Sequence, residues 1–374
     1  MPKSLVPVNN EVVRWAVEES GLSPVDVSRK VGVDVVVLKE WMEGIAKPSR
    51  GEFTKLFKTL KRPSALFFAP QAPEPLRIPA LRESPRRAGR NLSEQERLWI
   101  RRARRLQQLV SFLLQKQGRK ADLPRVGREE VPETAGERVR RWLGVDRQMY
   151  WGSTVDPWLW WREKLEGRGI LVFALQLGKD GVRGFSFSDE VAPVISVNTA
   201  YNREARVFTA FHELGHLVLQ NESVCVDLSG EATEEERWCE EFAASVLLPR
   251  DAVLQFVEEA SPDEDGFALA KKTASRFKVS IRAAAVRLIR LEIAEQSLDT
   301  LVDQKAQLWD RDKGFARGRP TYRTQRRIQE YGNVVVDELI RASDQGLLNL
   351  HDLSDYLRLD TTDVDEIAQI VGIR

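Results

Sequence analysis

Three histidines occur in the 374 residues, and two of them, His212 and His216, stand four apart around Glu213 in the stretch FTAFHELGHLVLQ. Side chains four apart on a helix share one face, so these two imidazoles can meet a single cation. Glu213 sits next round the same turn, close enough to hold a metal-bound water without being a ligand itself. The chemistry this implies is metal-assisted hydrolysis. The plainer alternative is two buried histidines on a core helix.

A catalytic zinc needs a third protein ligand and an open fourth position. Downstream, EATEEERWCEEFAA places Glu236 and Glu240 four apart, as a ligand and a supporting carboxylate on one helix should be. Glu236 is the first choice for the ligand and Glu240 the second. An acidic first turn complementing the helix dipole accounts for Glu234 to Glu236 without any metal. It accounts less well for Glu240, set among Cys239, Phe242 and Ala243.

The surrounding pattern supplies the elements that must position these residues. A helix over Trp158–Arg168 is released by Gly169 into the strand Ile170–Phe173, and Val182–Phe187 and Pro193–Asn198 have the β-branched and aromatic content of two more strands. A small sheet therefore precedes the histidine-bearing helix. Beyond residue 300, Gly314–Arg319 is a basic break, and helices are expected over Thr324–Asp344, His351–Leu359 and Thr362–Val371. They form a helical cap or a surface for a partner. His351 reads as an ordinary histidine, and Cys225 and Cys239 as reduced thiols that bind no metal.

Toward the N-terminus, Ser23, Pro24 and Asp26 mark a helix start, Gly32 a turn, and Asp34 the cap of a next helix striped by Val37, Leu38 and Trp41. Two short helices around a glycine turn form the bihelical unit that reads DNA. The second helix presents Val35, Val36 and Val37 where a base reader usually carries polar side chains, and Lys39 suits a phosphate better than a base. Protein contact or dimerisation is the competing use. Pro70, Pro73, Pro75 and Pro79 then mark a link. The capped helix from Ser93 to Gln117 carries Arg97, Arg101, Arg102, Arg104 and Arg105. Arg101 and Arg105 are its candidate phosphate contacts, against the simpler reading of a solvated basic face.

Several stretches carry resemblances. GLSPVDVSRKVGVDVVVLKEWMEG with Pro48 resembles the N-terminal domain of Xre-type repressor-like proteins. The nineteen residues between His216 and Glu236, with a second acid four further on, resemble the spacing of gluzincins, the thermolysin-like peptidases. In zinc peptidases of this kind the last strand before the helix offers a free edge to an extended peptide, a role that falls to Val194, Ile195, Ser196 and Val197. GRGILVFALQ, VRGFSFSDEVAPVISVN, REARVFTAFHELGHLVL, EEERWCEEFAASVLLP and FALAKKTASRFKVSIRAAAVRLIRL together look like the ImmA/IrrE metallopeptidases, which often carry an Xre-like domain. Where that family often has Asn in the last acidic position, this chain has Glu240.

The resemblance implies a mainly α chain with a small β-sheet (α+β). Its expected layout is a helix-turn-helix bundle over 1–70, a proline-marked linker and basic helical region over 71–150, a zincin-like metallopeptidase domain over 151–300 and a helical C-terminal domain over 301–374. It also implies a Zn2+-dependent endopeptidase, narrow or gated, that cleaves a repressor-like regulator. Glu213 would act as general base, and the donor to the oxyanion is unassigned, with Tyr201 its nearest suggestion in sequence. The rival function is a DNA- or protein-binding regulator, antitoxin-like, that uses the peptidase fold with little proteolysis. Partners then range over a protein substrate, DNA through the N-terminal domain, a toxin-type or regulatory protein, and a second copy of the chain. With 42% hydrophobic and 30% charged residues, two cysteines and no apolar run of membrane-spanning length, the composition points to the cytoplasm and away from membranes.

Overall fold

A computed structural model describes residues 5–20, 22–62, 64–73, 81–82, 92–145, 155–178, 181–221, 223–225, 233–259, 265–309 and 322–371. The expected basic break at Gly314–Arg319 and the prolines at 75 and 79 lie outside them. The fold is mainly helical with a small mixed sheet, an α+β architecture. The chain divides into two compact units, one of residues 1–78 with 89–102 and one of 79–88 with 103–374.

In the first unit, α1 (Asn10–Ser20), α2 (Pro24–Val31), α3 (Val35–Glu43) and α4 (Arg50–Leu60) pack around Val13, Val17, Leu38, Trp41 and Leu56. Each boundary has a local cause. Ser23 accepts the Asp26 N–H at the start of α2, and Asp34 accepts the Val36 N–H at the start of α3. Gly32 closes α2 with φ near 82°, a left-handed conformation that costs glycine little. The helix α5 (Glu94–Lys116) begins on the Ser93–Glu96 capping box. Within this unit Glu94 takes Lys30 at 2.7 Å and Lys61 at 3.2 Å, and its hydrogen bond from Lys30 holds its carboxyl below the usual range.

The second unit holds β1 (Leu81–Arg82), the rest of α5, α6 (Pro132–Trp142), α7 (Pro157–Glu166), β2 (Leu171–Leu175), β3 (Gly184–Phe187), β4 (Val194–Asn198), α8 (Arg203–Val218) and β5 (Ser223–Cys225). The helices α9 (Glu234–Leu247), α10 (Arg250–Glu258), α11 (Gly266–Phe277), α12 (Ile281–Arg290) and α13 (Ser297–Trp309) follow, then α14 (Arg323–Tyr331), α15 (Asn333–Asp344), α16 (Leu350–Leu357) and α17 (Thr361–Val371). The single helix expected over Thr324–Asp344 is broken at Gly332, whose φ of 85° and ψ of 160° stop α14 and restart the chain as α15.

The sheet runs β1-β5-β3-β4-β2. β4 pairs in parallel with β2 and antiparallel with β3, so it lies inside the sheet and has no free edge. The expectation that Val194, Ile195, Ser196 and Val197 receive a peptide strand is therefore corrected, because their main-chain groups are already used on both sides. Their burial matches that position. One face of the sheet rests on α8 through Val172, Ile195, Val197, Ala210, Phe211 and Leu214. On the other face, Gln107 of α5 donates to the carbonyls of Phe187 and Ala192, and Phe173 meets Tyr331 edge to face.

Two features set the spacing of the helices under the sheet. Trp161 of α7 meets Phe211 of α8 edge to face at 4.7 Å, a contact worth roughly 0.5–1.5 kcal/mol beyond burial. Gly136 of α6 lies against Ser245 of α9, whose buried hydroxyl donates to Phe242 and Pro132 carbonyls. A Cβ at Gly136 would collide with that hydroxyl oxygen. Gly136→Ala is accordingly expected to destabilise the protein by about 1–3 kcal/mol despite alanine's better helix propensity, and adding Ser245→Ala should recover part of the loss. Denaturant unfolding of the single and double variants checks this.

Candidate metal centre

α8 is placed by its first turn. Asn202 accepts the Ala205 N–H, and Arg206 donates to the carbonyls of Thr199 and Tyr201. Asn198, at the end of β4, accepts the Ala200 N–H on the way into that turn and donates to the carbonyls of Gly178 and Val182 before β3. With the helix phase set, residues 209–218 are buried, including His212, Glu213 and His216. α9 is fixed at both ends. Thr233 accepts the Glu236 N–H at its start. At its C-terminal end the buried guanidiniums of Arg140 and Arg287 donate to the carbonyls of Val246 and Leu248. Burial pushes the Arg140 guanidinium down to about 10.

The two helices approach closely at Gly215. A Cβ there would stand 3.1 Å from Cys239 Sγ and 3.3 Å from Cys239 Cα, so glycine lets α9 come within reach of the histidine face. The result is a buried cluster of His212, His216 and Glu236. His212 Nε2 lies 3.3 Å from His216 Nε2 and 3.0 Å from Glu236 Oε2, and His216 Nε2 lies 3.4 Å from Glu236 Oε1. Donors on a tetrahedral ion at about 2.0–2.1 Å are about 3.3 Å apart, so these spacings fit one face of such a coordination shell. Two imidazole nitrogens with one carboxylate oxygen also suit a divalent transition ion better than calcium or magnesium, which prefer all-oxygen shells. The residues present could hold a metal ion.

Electrostatics agree. Burial alone pushes the Glu236 carboxyl up, but hydrogen bonds from His212 and His216, together with their charge, hold it well below the usual carboxylate range. Glu236 is thus an anionic donor in a site walled by protein. Glu240, one turn further on, is pushed up, chiefly by burial, with His212 and Arg290 acting against that rise. It is not part of the donor cluster.

Glu235 has a role the sequence reading missed. Its Oε1 lies 3.3 Å from His216 Nδ1 and accepts from Asn221 Nδ2 at 3.0 Å, while Arg128 stands 3.7 Å from its other oxygen. A carboxylate behind a ligating imidazole sets ring orientation and raises ligand basicity. Cys239 Sγ lies 3.5 Å from the same Nδ1, and burial pushes that thiol up. The available signal was the run Glu234–Glu236. Which of its members faces inward depends on the helix phase that Thr233 sets.

Glu213 faces the sheet. A Cβ on Gly184 of β3 would meet Glu213 Oε1 at 2.8 Å and Thr209 Cγ2 at 2.6 Å, so the strand's main chain passes directly over the carboxylate. The other residues singled out lie elsewhere. Tyr201 carries the Arg183 guanidinium over its ring at 4.6 Å. His351 is exposed on α16. Lys39 is exposed on α3. Arg105 pairs with Asp355 at 3.1 Å and lies over Tyr356. Arg101 is buried and donates to the Glu19 carbonyl, which removes it from any phosphate-facing surface.

Residues 165–289, the span from α7 to the end of α12, match the family model Peptidase_M78, described as the IrrE N-terminal-like domain. That span contains the three clustered residues and Glu213. Among curated proteins, none matches the chain. No helix among the described residues is long and apolar enough to cross a membrane.

The geometry orders the acidic residues. Glu236→Gln is expected to lose bound metal, Glu240→Gln to retain it, and Glu235→Gln to weaken binding about 10–100-fold. Elemental analysis and competition with a chromogenic chelator read all three.

Proposed function

We propose that the protein is a zinc-dependent endopeptidase of narrow or gated specificity that acts on a regulatory protein of the repressor-like kind. The observation that carries the reading is the triangle of His212, His216 and Glu236 with Glu213 one residue along the same helix. The match of residues 165–289 to a peptidase family supports it.

Zinc bound by His212, His216 and Glu236 would supply Lewis-acid chemistry, activating water for attack and polarising the scissile carbonyl. The remaining work belongs to the chain. Glu213 receives the proton of the attacking water and delivers it to the leaving amine nitrogen. Its burial between α8 and β3 excludes bulk water from that transfer. Glu235 and Asn221 keep the His216 ring turned toward the donor triangle.

The inner place of β4, paired on both sides, supports narrow rather than general digestion. The α1–α4 unit serves to bring the regulatory partner to the protease. With Val36 exposed on α3 beside Lys39, protein contact is the favoured mode over base reading.

Glu213→Gln separates the peptidase from a regulator that only binds. The variant is expected to keep one zinc per chain and to trap a regulator that the wild type cleaves, with hydrolysis of that trapped protein slower by about 10²–10⁴-fold. Zinc retained with hydrolysis unchanged would remove Glu213 from the mechanism. Absence of hydrolysis in the zinc-loaded wild type, with regulator still bound, would favour the binding protein.

A further inference from the structure

The strand above Glu213 has one side open to a partner in principle, and the chain fills that side itself. β3 is the strand whose main chain touches Glu213 at Gly184. Its inner side is taken by β4 in antiparallel register, Gly184 to Val197 through Phe187 to Val194. Beyond β4 lies β2, the far edge of the sheet. An extended peptide joining the sheet next to Glu213 therefore has one place, the outer side of β3. There it would run about 4.8 Å from the strand that covers the carboxylate.

That place is occupied by β5, in the register Ser186 to Ser223, Phe185 to Val224 and Gly184 to Cys225. β1 is laid in parallel along the outer side of β5, Leu81 beside Val224 and Arg82 beside Cys225. The Asn198 N–H donates to the Arg183 carbonyl across the β3–β4 ladder. Main-chain groups alternate sides along an antiparallel strand, so those of Gly184 and Ser186 turn the other way, toward β5. The main-chain groups that would hold a substrate are those that hold Cys225 and Ser223.

We propose that β5, backed by β1, is a tethered strand in the position of an extended peptide substrate, so that the resting chain is closed and the sheet edge opens only when the strand pair is withdrawn from β3. β5 is three residues long, so a peptide offering the same ladder to Gly184 and Ser186 competes with it on similar terms. It leaves directly from the metal helix. The Asn221 N–H donates to the His216 carbonyl at 2.8 Å, and the Asn221 side chain holds Glu235, so the strand's root is part of the metal site's support. The inference rests on the peptidase reading for the purpose of the edge, and its geometry stands without it.

The test uses the full-length chain with Cys225→Pro, and with Ser223→Pro as a second variant, each removing one N–H that faces β3. Hydrogen exchange reads the amides of Gly184 and Ser186, with the amides of β2 and β4 as the control for folding. Binding of fluorescein-labelled α-casein, an unfolded chain, is measured by anisotropy on metal-free protein. The expected result is slow exchange at Gly184 and Ser186 in the wild type. In at least one variant that keeps β2 and β4 protected, their exchange should be at least tenfold faster and casein binding at least tenfold tighter. Fast exchange at these two amides in the wild type overturns the proposal, and so do opened amides without tighter casein binding. Casein bound but not cut by the opened, zinc-loaded variant supports the latch all the same, and the peptidase reading stands or falls on the Glu213→Gln comparison above.

Discussion

The site depends on the close crossing of α8 and α9 at Gly215 and Cys239. Without that approach the carboxylate of Glu236 could not reach within 3.0–3.4 Å of two imidazole nitrogens that the α8 sequence places on one helix face. Most of the surrounding construction maintains that spacing. Gly136 lets α6 press on α9 at Ser245, and Trp161 braces α8 from the other side. Arg140 and Arg287 hold the end of α9 by its carbonyls. A buried cluster of two imidazoles and an anionic carboxylate is costly to assemble in an apolar interior unless the groups compensate one another. Here hydrogen bonding does so in part, and an ion would complete it.

The sheet does less for the metal than for the glutamate. Even-numbered β3 residues face α8, and glycine at 184 leaves room for Glu213. Odd-numbered β3 residues point to the opposite face, where Phe187 packs under the Arg104 guanidinium. The same strand thus contributes a core face, a lid over the general base, and an edge. Its neighbour β5 starts a few residues after His216, so metal ligation and edge occupancy belong to one continuous stretch of chain.

Much of this was legible beforehand because local rules were obeyed. The His-Glu-x-x-His spacing specified the donor face, and Ser23, Asp34, Gly32 and Ser93 marked helix ends by side-chain and glycine chemistry that acts within a few residues. What could not be read was set by contacts distant in sequence. The place of β4 inside the sheet follows from β2 and β3 together, and no property of Val194–Val197 distinguishes an inner strand from an edge one. The inward-facing partner of His216 is Glu235, not Glu240, because the cap at Thr233 sets the rotation of α9. Arg101 looked like surface charge in a basic run, and its burial comes from the Glu19 carbonyl, which lies 82 residues earlier. The helix expected over Thr324–Asp344 runs through Gly332, where the left-handed φ breaks it.

X-ray absorption at the metal edge of the purified, metal-loaded protein reads the donor set on the ion itself. One ion per chain is expected, with a nitrogen and oxygen shell at about 2.0–2.1 Å, outer-shell scattering from two imidazoles, and no sulfur. A sulfur neighbour at about 2.3 Å would place Cys239 or Cys225 on the ion and contradict the donor set of His212, His216 and Glu236.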